Sequence, residues 1–179
     1  MRYESIADIY SANAKIREGL EMVLGGISPE EAAVRPADGG WTIGEIVEHI
    51  SIVEGRAGEV CMRLLDKARA DGIPADGSFT ISDTLIAAQE TAANTKIQAP
   101  ERIHPTGTIP VTTSLAKLIE LRQPLDATQP DMERLDVSKH TFPHPVFGEM
   151  TAAEWLLVLG GHEFRHTVQI QRVLEEVRV

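Results

Sequence analysis

The chain has 179 residues, 42 % of them hydrophobic and only 4 % aromatic, enough for one core filled mainly by Leu, Ile, Val and Ala. Its 27 acidic and 17 basic residues give a formal net charge of −10, which repels phosphates and argues against nucleic acid and anionic membrane as partners. The single cysteine, Cys61, excludes an intrachain disulfide and a four-thiolate zinc site.

Residues 3–25 read as a first helix, because Ile6, Ile9, Ile16, Leu20 and Val23 recur mostly every three or four positions before Gly25-Gly26 stops the pattern. A second helix starts at Thr42, with Glu45 placed to complete a capping box. It runs to about Ala70 through Ile43, Ile46, Val47, Ile50, Val53, Ala57, Val60 and Leu64. Ser82–Asn94 predicts a short helix carrying Leu85 and Ile86. The stretch "QAPERIHPTGTIPVTT" that follows holds three prolines and reads as irregular. Ser114–Leu135 predicts a third long helix with Leu115, Leu118, Ile119, Leu125 and Met132. Pro124 and Pro130 interrupt it, so a kink or break is expected near Gln123. "DVSKHTFPHPVFGEM" reads as a loop. A fourth helix then begins at Thr151, capped with Glu154, and runs to about Val177 through Trp155, Leu159, Ile170 and Val173. β-patterning is scarce. The sum is an all-α, antiparallel four-helix bundle with long inter-helix connections, one domain over residues 1–179. No secretory h-region and no apolar run near the roughly 20 residues of a membrane span are visible, which predicts a cytoplasmic protein.

Two pairs of histidines stand four apart. His140 and His144 flank Pro143, with Pro145 following, so they do not share a helical turn; they read as part of a polar loop, although that loop leads into the fourth helix and brings His144 towards any site there. His162 and His166, in "GGHEFRHTVQIQRVLEEV", fall one turn apart on the stripe of Leu159, Ile170 and Val173. Two imidazoles on an apolar stripe need partners. A metal ion satisfies both at once; hydrogen bonds within the core are the alternative.

His162-Glu163-x-x-His166 spells the zinc-protease pattern, but only Glu175 and Glu176 follow it, too far along the same helix to serve as a third ligand. A di-iron carboxylate site needs two Glu-x-x-His motifs, and Ile46 occupies the place three before His49. A third ligand must then come from upstream, where His49 on the second helix is the best candidate. Three neutral imidazoles leave a coordination position open, as catalytic zinc sites do.

The stretches "GGWTIGEIVEHISIVEG", "IQAPERIHPTG" and "HPVFGEMTAAEWLLVLGGHEFRHTVQIQRV" resemble the DinB/YfiT-like superfamily of metal-dependent enzymes over nearly the whole chain. The resemblance carries one His on the second helix and H-x-x-x-H on the fourth, here His49, His162 and His166, as metal ligands. It implies a four-helix bundle, often a homodimer, with a divalent ion such as nickel or zinc, and relatives that are thiol S-transferases or a thiol-dependent isomerase using low-molecular-weight thiols. Pro124 departs from the regular pattern of the third helix. The expected function is a metal-dependent transferase or hydrolase acting on a small molecule. A non-catalytic metal-binding or stress-associated bundle, or a structural bundle without metal, is the competing reading.

Around the histidines, Glu163 is a candidate general base on metal-bound water, weighed against a solvated or salt-bridged glutamate. Gln169 and Glu45 are placed to orient ligand rings. Arg165 suits a substrate carboxylate or a surface ion pair. Trp41 and Trp155 read as packing where their helices start, and Cys61 as a buried, inert thiol.

Overall fold

The computed structural model describes residues 3–93 and 99–178. In chain order it contains α1 (Ile6–Leu24), α2 (Pro29–Ala33), α3 (Ile43–Asp71), α4 (Asp83–Ala93), a 3-10 turn (Glu101–Ile103), α5 (Val111–Asp126), α6 (Gln129–Arg134), strands β1 (Thr141–His144) and β2 (Gly148–Thr151), and α7 (Ala152–Val177). Asn94 and Gln98, the edges of two stretches read from sequence, lie outside the described residues.

The capping boxes expected at Thr42/Glu45 and Thr151/Glu154 start α3 and α7. In each, the hydroxyl accepts the N–H three residues on and the carboxylate accepts the cap's own N–H, so two otherwise orphaned donors are satisfied reciprocally. Ser5/Asp8 and Ser28/Glu31 start α1 and α2 in the same way.

The four long helices α1, α3, α5 and α7 form the bundle, two running each way. Asn13 and Arg17 of α1 reach Leu156 and Glu163 of α7, so these two run in the same direction. Against α7, α3 runs the opposite way: His49 meets His162, and Cys61 meets Ala152. The pair α3 and α5 again runs together, since a Cβ on Gly44 would touch Val111, on Gly55 Leu121 and on Gly58 Leu125. No short turn joins two parallel helices, so the chain between α3 and α5, which includes α4 and the 3-10 turn among its described residues, leads back along the bundle.

The core is cut in two by a buried ionic layer. Arg17 of α1, Glu54 of α3, Arg122 of α5 and Glu163 of α7 are 7 %, 1 %, 6 % and 0 % exposed. Arg17 donates to Glu163 Oε1 and Oε2 at 2.8 Å and to Glu54 Oε2 at 2.7 Å. Arg122 donates to Glu54 Oε1 at 2.9 Å and to Glu163 Oε2 at 3.0 Å. Two charges of each sign cancel, and each long helix supplies one member. On one side lie Ile9, Leu64, Leu65, Leu125 and Leu156; on the other lie Leu20, Ile46, Ile50, Leu118 and Ile170. Arg17 Nη1 is buried without a hydrogen-bond partner among the described residues.

Two features differ from the sequence expectation. Pro124 lies inside α5, and the break comes at Ala127–Thr128 rather than near Gln123. There the Thr128 hydroxyl donates to the Leu125 carbonyl at 2.6 Å and meets the Tyr10 hydroxyl at 2.8 Å. Pro130 sits in the first turn of α6, where its missing N–H would have had no helical partner. The segment before α7 is a β-hairpin, with Thr141 opposite Thr151 and His144 opposite Gly148. Trp155 Nε1 donates to the Phe142 carbonyl at 3.2 Å and docks the hairpin on α7. Among the described residues no helix is long and apolar enough to cross a membrane.

Candidate metal centre

His49 stands two turns into α3, beside the buried run Ile43, Ile46, Val47 and Ile50 that seats this helix in the core, and is itself 2 % exposed. His162 and His166 stand one turn apart on α7 and are each partly exposed. The antiparallel pairing of α3 and α7 brings the three rings together. Their centroids are separated by 5.1 Å (His49–His162), 4.9 Å (His49–His166) and 4.4 Å (His162–His166). One nitrogen from each lies within 4.8 Å of the others, so the group could hold a metal ion. The Nε2 atoms of His49 and His162 are 3.2 Å apart. Two nitrogens bound at about 2.0–2.1 Å to one tetrahedral ion are separated by roughly 3.3 Å, so the His49–His162 pair already stands at ligand spacing.

The outward nitrogens fix the tautomers. His49 Nδ1 lies 2.8 Å from the Ile103 carbonyl, and His166 Nδ1 2.7 Å from Gln169 Oε1. Both partners are acceptors, so each Nδ1 carries the proton and each Nε2 keeps its lone pair for the site. Burial makes protonation unfavourable: His49 is pushed below the ordinary imidazole range mainly by desolvation, with His104 adding to it. His162 falls well below that range, by desolvation first and then by the neighbouring His166 and His49. His166 falls to about 4, again mainly through desolvation. Three neutral imidazoles with convergent nitrogens are a donor set that suits a zinc-like ion.

The Trp41 ring packs on His49 at 4.8 Å and meets His104 edge-on at 5.9 Å, so it is a wall of the site as well as packing at the start of α3. Gln169 occupies the orienting position expected of it. Glu45 does not: its carboxylate is held by Arg35 at 2.6 Å and by the capping box, and the Ile103 carbonyl takes the role at His49. That carbonyl belongs to the irregular "ERIHPTG" stretch, and a backbone acceptor has no residue-type signature to read.

Glu163 faces the interior of the bundle. The buried face of α7 is centred on Glu163, not on the two histidines, which flank it. Both its oxygens are engaged by the guanidiniums of Arg17 and Arg122, so the carboxylate is salt-bridged inside the bundle and is fully buried. Arg165 is exposed, and its charge adds to the depression of His162 and His166. Cys61 is buried and donates to the Ala152 carbonyl, and burial pushes its thiol up to about 12, which removes it as a nucleophile. His140 pairs with Asp71 at 2.8 Å. His144 closes the hairpin, its Nδ1 accepting the Val146 and Phe147 N–H groups at 3.1 and 3.2 Å, and its ring lies against Trp155.

The model of the DinB superfamily matches residues 13–170, a span that includes all three histidines. The uncharacterized protein YuaE of Bacillus subtilis (strain 168) is 25 % identical over 155 residues, covering 86 % of this chain and 90 % of its own length. A crystal structure of TT2238, described as a four-helix bundle protein, superposes with a TM-score of 0.60 at 22 % identity, over 93 % of this chain and 98 % of that one. This last likeness is one of fold.

Proposed function

The chain belongs to the DinB superfamily, and from that premise we propose that it is a metal-dependent enzyme whose divalent ion, nickel or zinc, is held by His49, His162 and His166. The observation that carries the reading is the convergence of three neutral imidazoles, two of them locked by outward hydrogen bonds. When bound, such an ion supplies Lewis-acid polarisation and lowers the pKa of a water or thiol beside it towards neutrality. The chain does the rest. His49 is buried at the back while His162 and His166 reach the surface, so a ligand approaches from the α7 side. Trp41 shields the His49 ring from water on one flank.

Of the two chemistries expected, thiol S-transfer fits better than hydrolysis. Among the described residues no carboxylate belongs to the histidine cluster, and Glu163 is committed to Arg17 and Arg122. Activation of water is helped by a nearby base, whereas a thiol is acidic enough to ionise without one. The co-substrate in this reading is a low-molecular-weight thiol, the acceptor a small electrophile and the compartment the cytoplasm. The test is an assay of untagged protein, loaded separately with zinc and nickel, against a panel of thiols and electrophiles. Metal-dependent consumption of thiol and electrophile together, lost in His162→Ala, is the expected result. Hydrolysis without thiol would favour the hydrolase, and inactivity of metal-replete protein across both panels would favour the non-catalytic bundle.

A further inference from the structure

We propose that Glu48 is a positioning residue for this centre, acting through the 103–107 loop on the tautomer and orientation of His49. Its consequence for metal affinity rests on the metal-dependent reading; its consequence for the tautomer does not.

Glu48 is 4 % exposed although no cation pairs with it among the described hydrogen bonds and ion pairs. Instead its Oε1 accepts the Thr106 N–H and the Thr106 hydroxyl, both at 2.8 Å, and its Oε2 accepts the Gly107 N–H at 2.9 Å. A buried carboxylate is costly unless its lone pairs are used, and here three donors of one short loop are aimed at it. The next residue, His49, donates from Nδ1 to the Ile103 carbonyl of the same loop. Adjacent residues of α3 therefore grip the loop at both ends, one through backbone donors and the other through a backbone acceptor.

Two further contacts define where the Ile103 carbonyl sits. Arg56 Nη2 donates to the Arg102 carbonyl at 3.1 Å, on the near side. On the far side Gly107 takes φ +72°, and a Cβ there would stand 3.1 Å from Glu45 Oε1, so the chain reverses tightly against α3. Release of Thr106 and Gly107 leaves the carbonyl tethered at one end only. His49 is then free to carry its proton on either nitrogen, and in the Nε2–H form it presents no lone pair to the site. Partners of this kind, one shell behind a ligand, change metal affinity by about 10–100-fold.

Glu48→Gln keeps one acceptor oxygen and sets an amide N–H against a former donor; Glu48→Ala removes the clamp; Thr106→Val removes one donor and keeps the loop length. In chelated protein, imidazole nitrogen–proton NMR, with His49 assigned by its absence in His49→Ala, should show a single Nδ1–H tautomer for the wild type and a mixture for Glu48→Ala. Cobalt(II) affinity from chelator competition should weaken about 10–100-fold in Glu48→Ala, less in Glu48→Gln and least in Thr106→Val, with an altered visible spectrum. Folded Glu48 variants that keep the wild-type tautomer and cobalt affinity would overturn the proposal. Wild-type protein that takes up no cobalt would instead refute the metal-dependent reading, and the tautomer measurement would still decide the role of Glu48.

Discussion

At Gly160 an added Cβ would lie 1.8 Å from Asn13 Oδ1. The missing side chain is what lets α1 approach α7 closely enough for Asn13 Nδ2 to donate to the Leu156 carbonyl at 3.0 Å. Gly160→Ala must expel Asn13 and break that bond, at about 1–3 kcal/mol for overpacking a close contact. Urea denaturation should show the lower midpoint; an unchanged midpoint would mean that α1 shifts freely. The histidines make a second residue-scale prediction. Their folded pKa values lie below the unfolded value of about 6.5. As pH falls, the unfolded chain therefore takes up protons first, and stability is lost from about 6.5 down towards about 4 for His166. Each depressed histidine contributes about 1.4 kcal/mol per pH unit within its window. Chelated protein should lose stability between pH 7.5 and 5.5, and a variant with Gln at positions 49, 162 and 166 should lose much less; parallel profiles would refute buried neutral histidines. His162 and His166 were legible in the sequence because a helical turn brings positions four apart together. A salt bridge at Glu163 could be named from the sequence as an alternative, but its partners stand 146 and 41 residues away, where no local spacing reveals them.

Each long helix places one charge in the ionic layer, so the layer sets their mutual register. Breaking a buried pair by deleting one partner costs about 3–5 kcal/mol, because the remaining charge stays buried. Arg122→Met leaves Glu54 and Glu163 to share Arg17 alone, and chemical denaturation should report a loss of that size. A loss under about 1 kcal/mol would show that the layer relaxes or admits water. Replacing all four members with apolar residues of similar volume should recover much of the loss, since such replacements are often neutral. The starts of α3 and α7 were legible because a capping box is a four-residue signal. The break after α5 was misplaced because the interaction that ends it, Thr128 with Tyr10, joins residues 118 apart. The hairpin escaped because its strands are four residues long and contain Pro143, which reads as a loop.

Across the whole molecule, hydrophobic periodicity yields four helices but not their directions. The parallel pairs α1/α7 and α3/α5 become visible only from contacts between distant residues, and the need for a long crossover between α3 and α5 follows from them. That crossover delivers the Ile103 carbonyl to His49, so a segment legible only as irregular completes the site. In the proposed centre one ion is shared by two helices of the bundle. Metal-free, untagged protein should be titrated with zinc by calorimetry, alongside His49→Ala, His162→Ala and His166→Ala. One tight equivalent per chain is expected for the wild type, and loss of that equivalent in every variant, including His49→Ala, whose residue lies on the other helix. Wild-type protein that binds no zinc, or a folded His49→Ala that binds as tightly as the wild type, would contradict it.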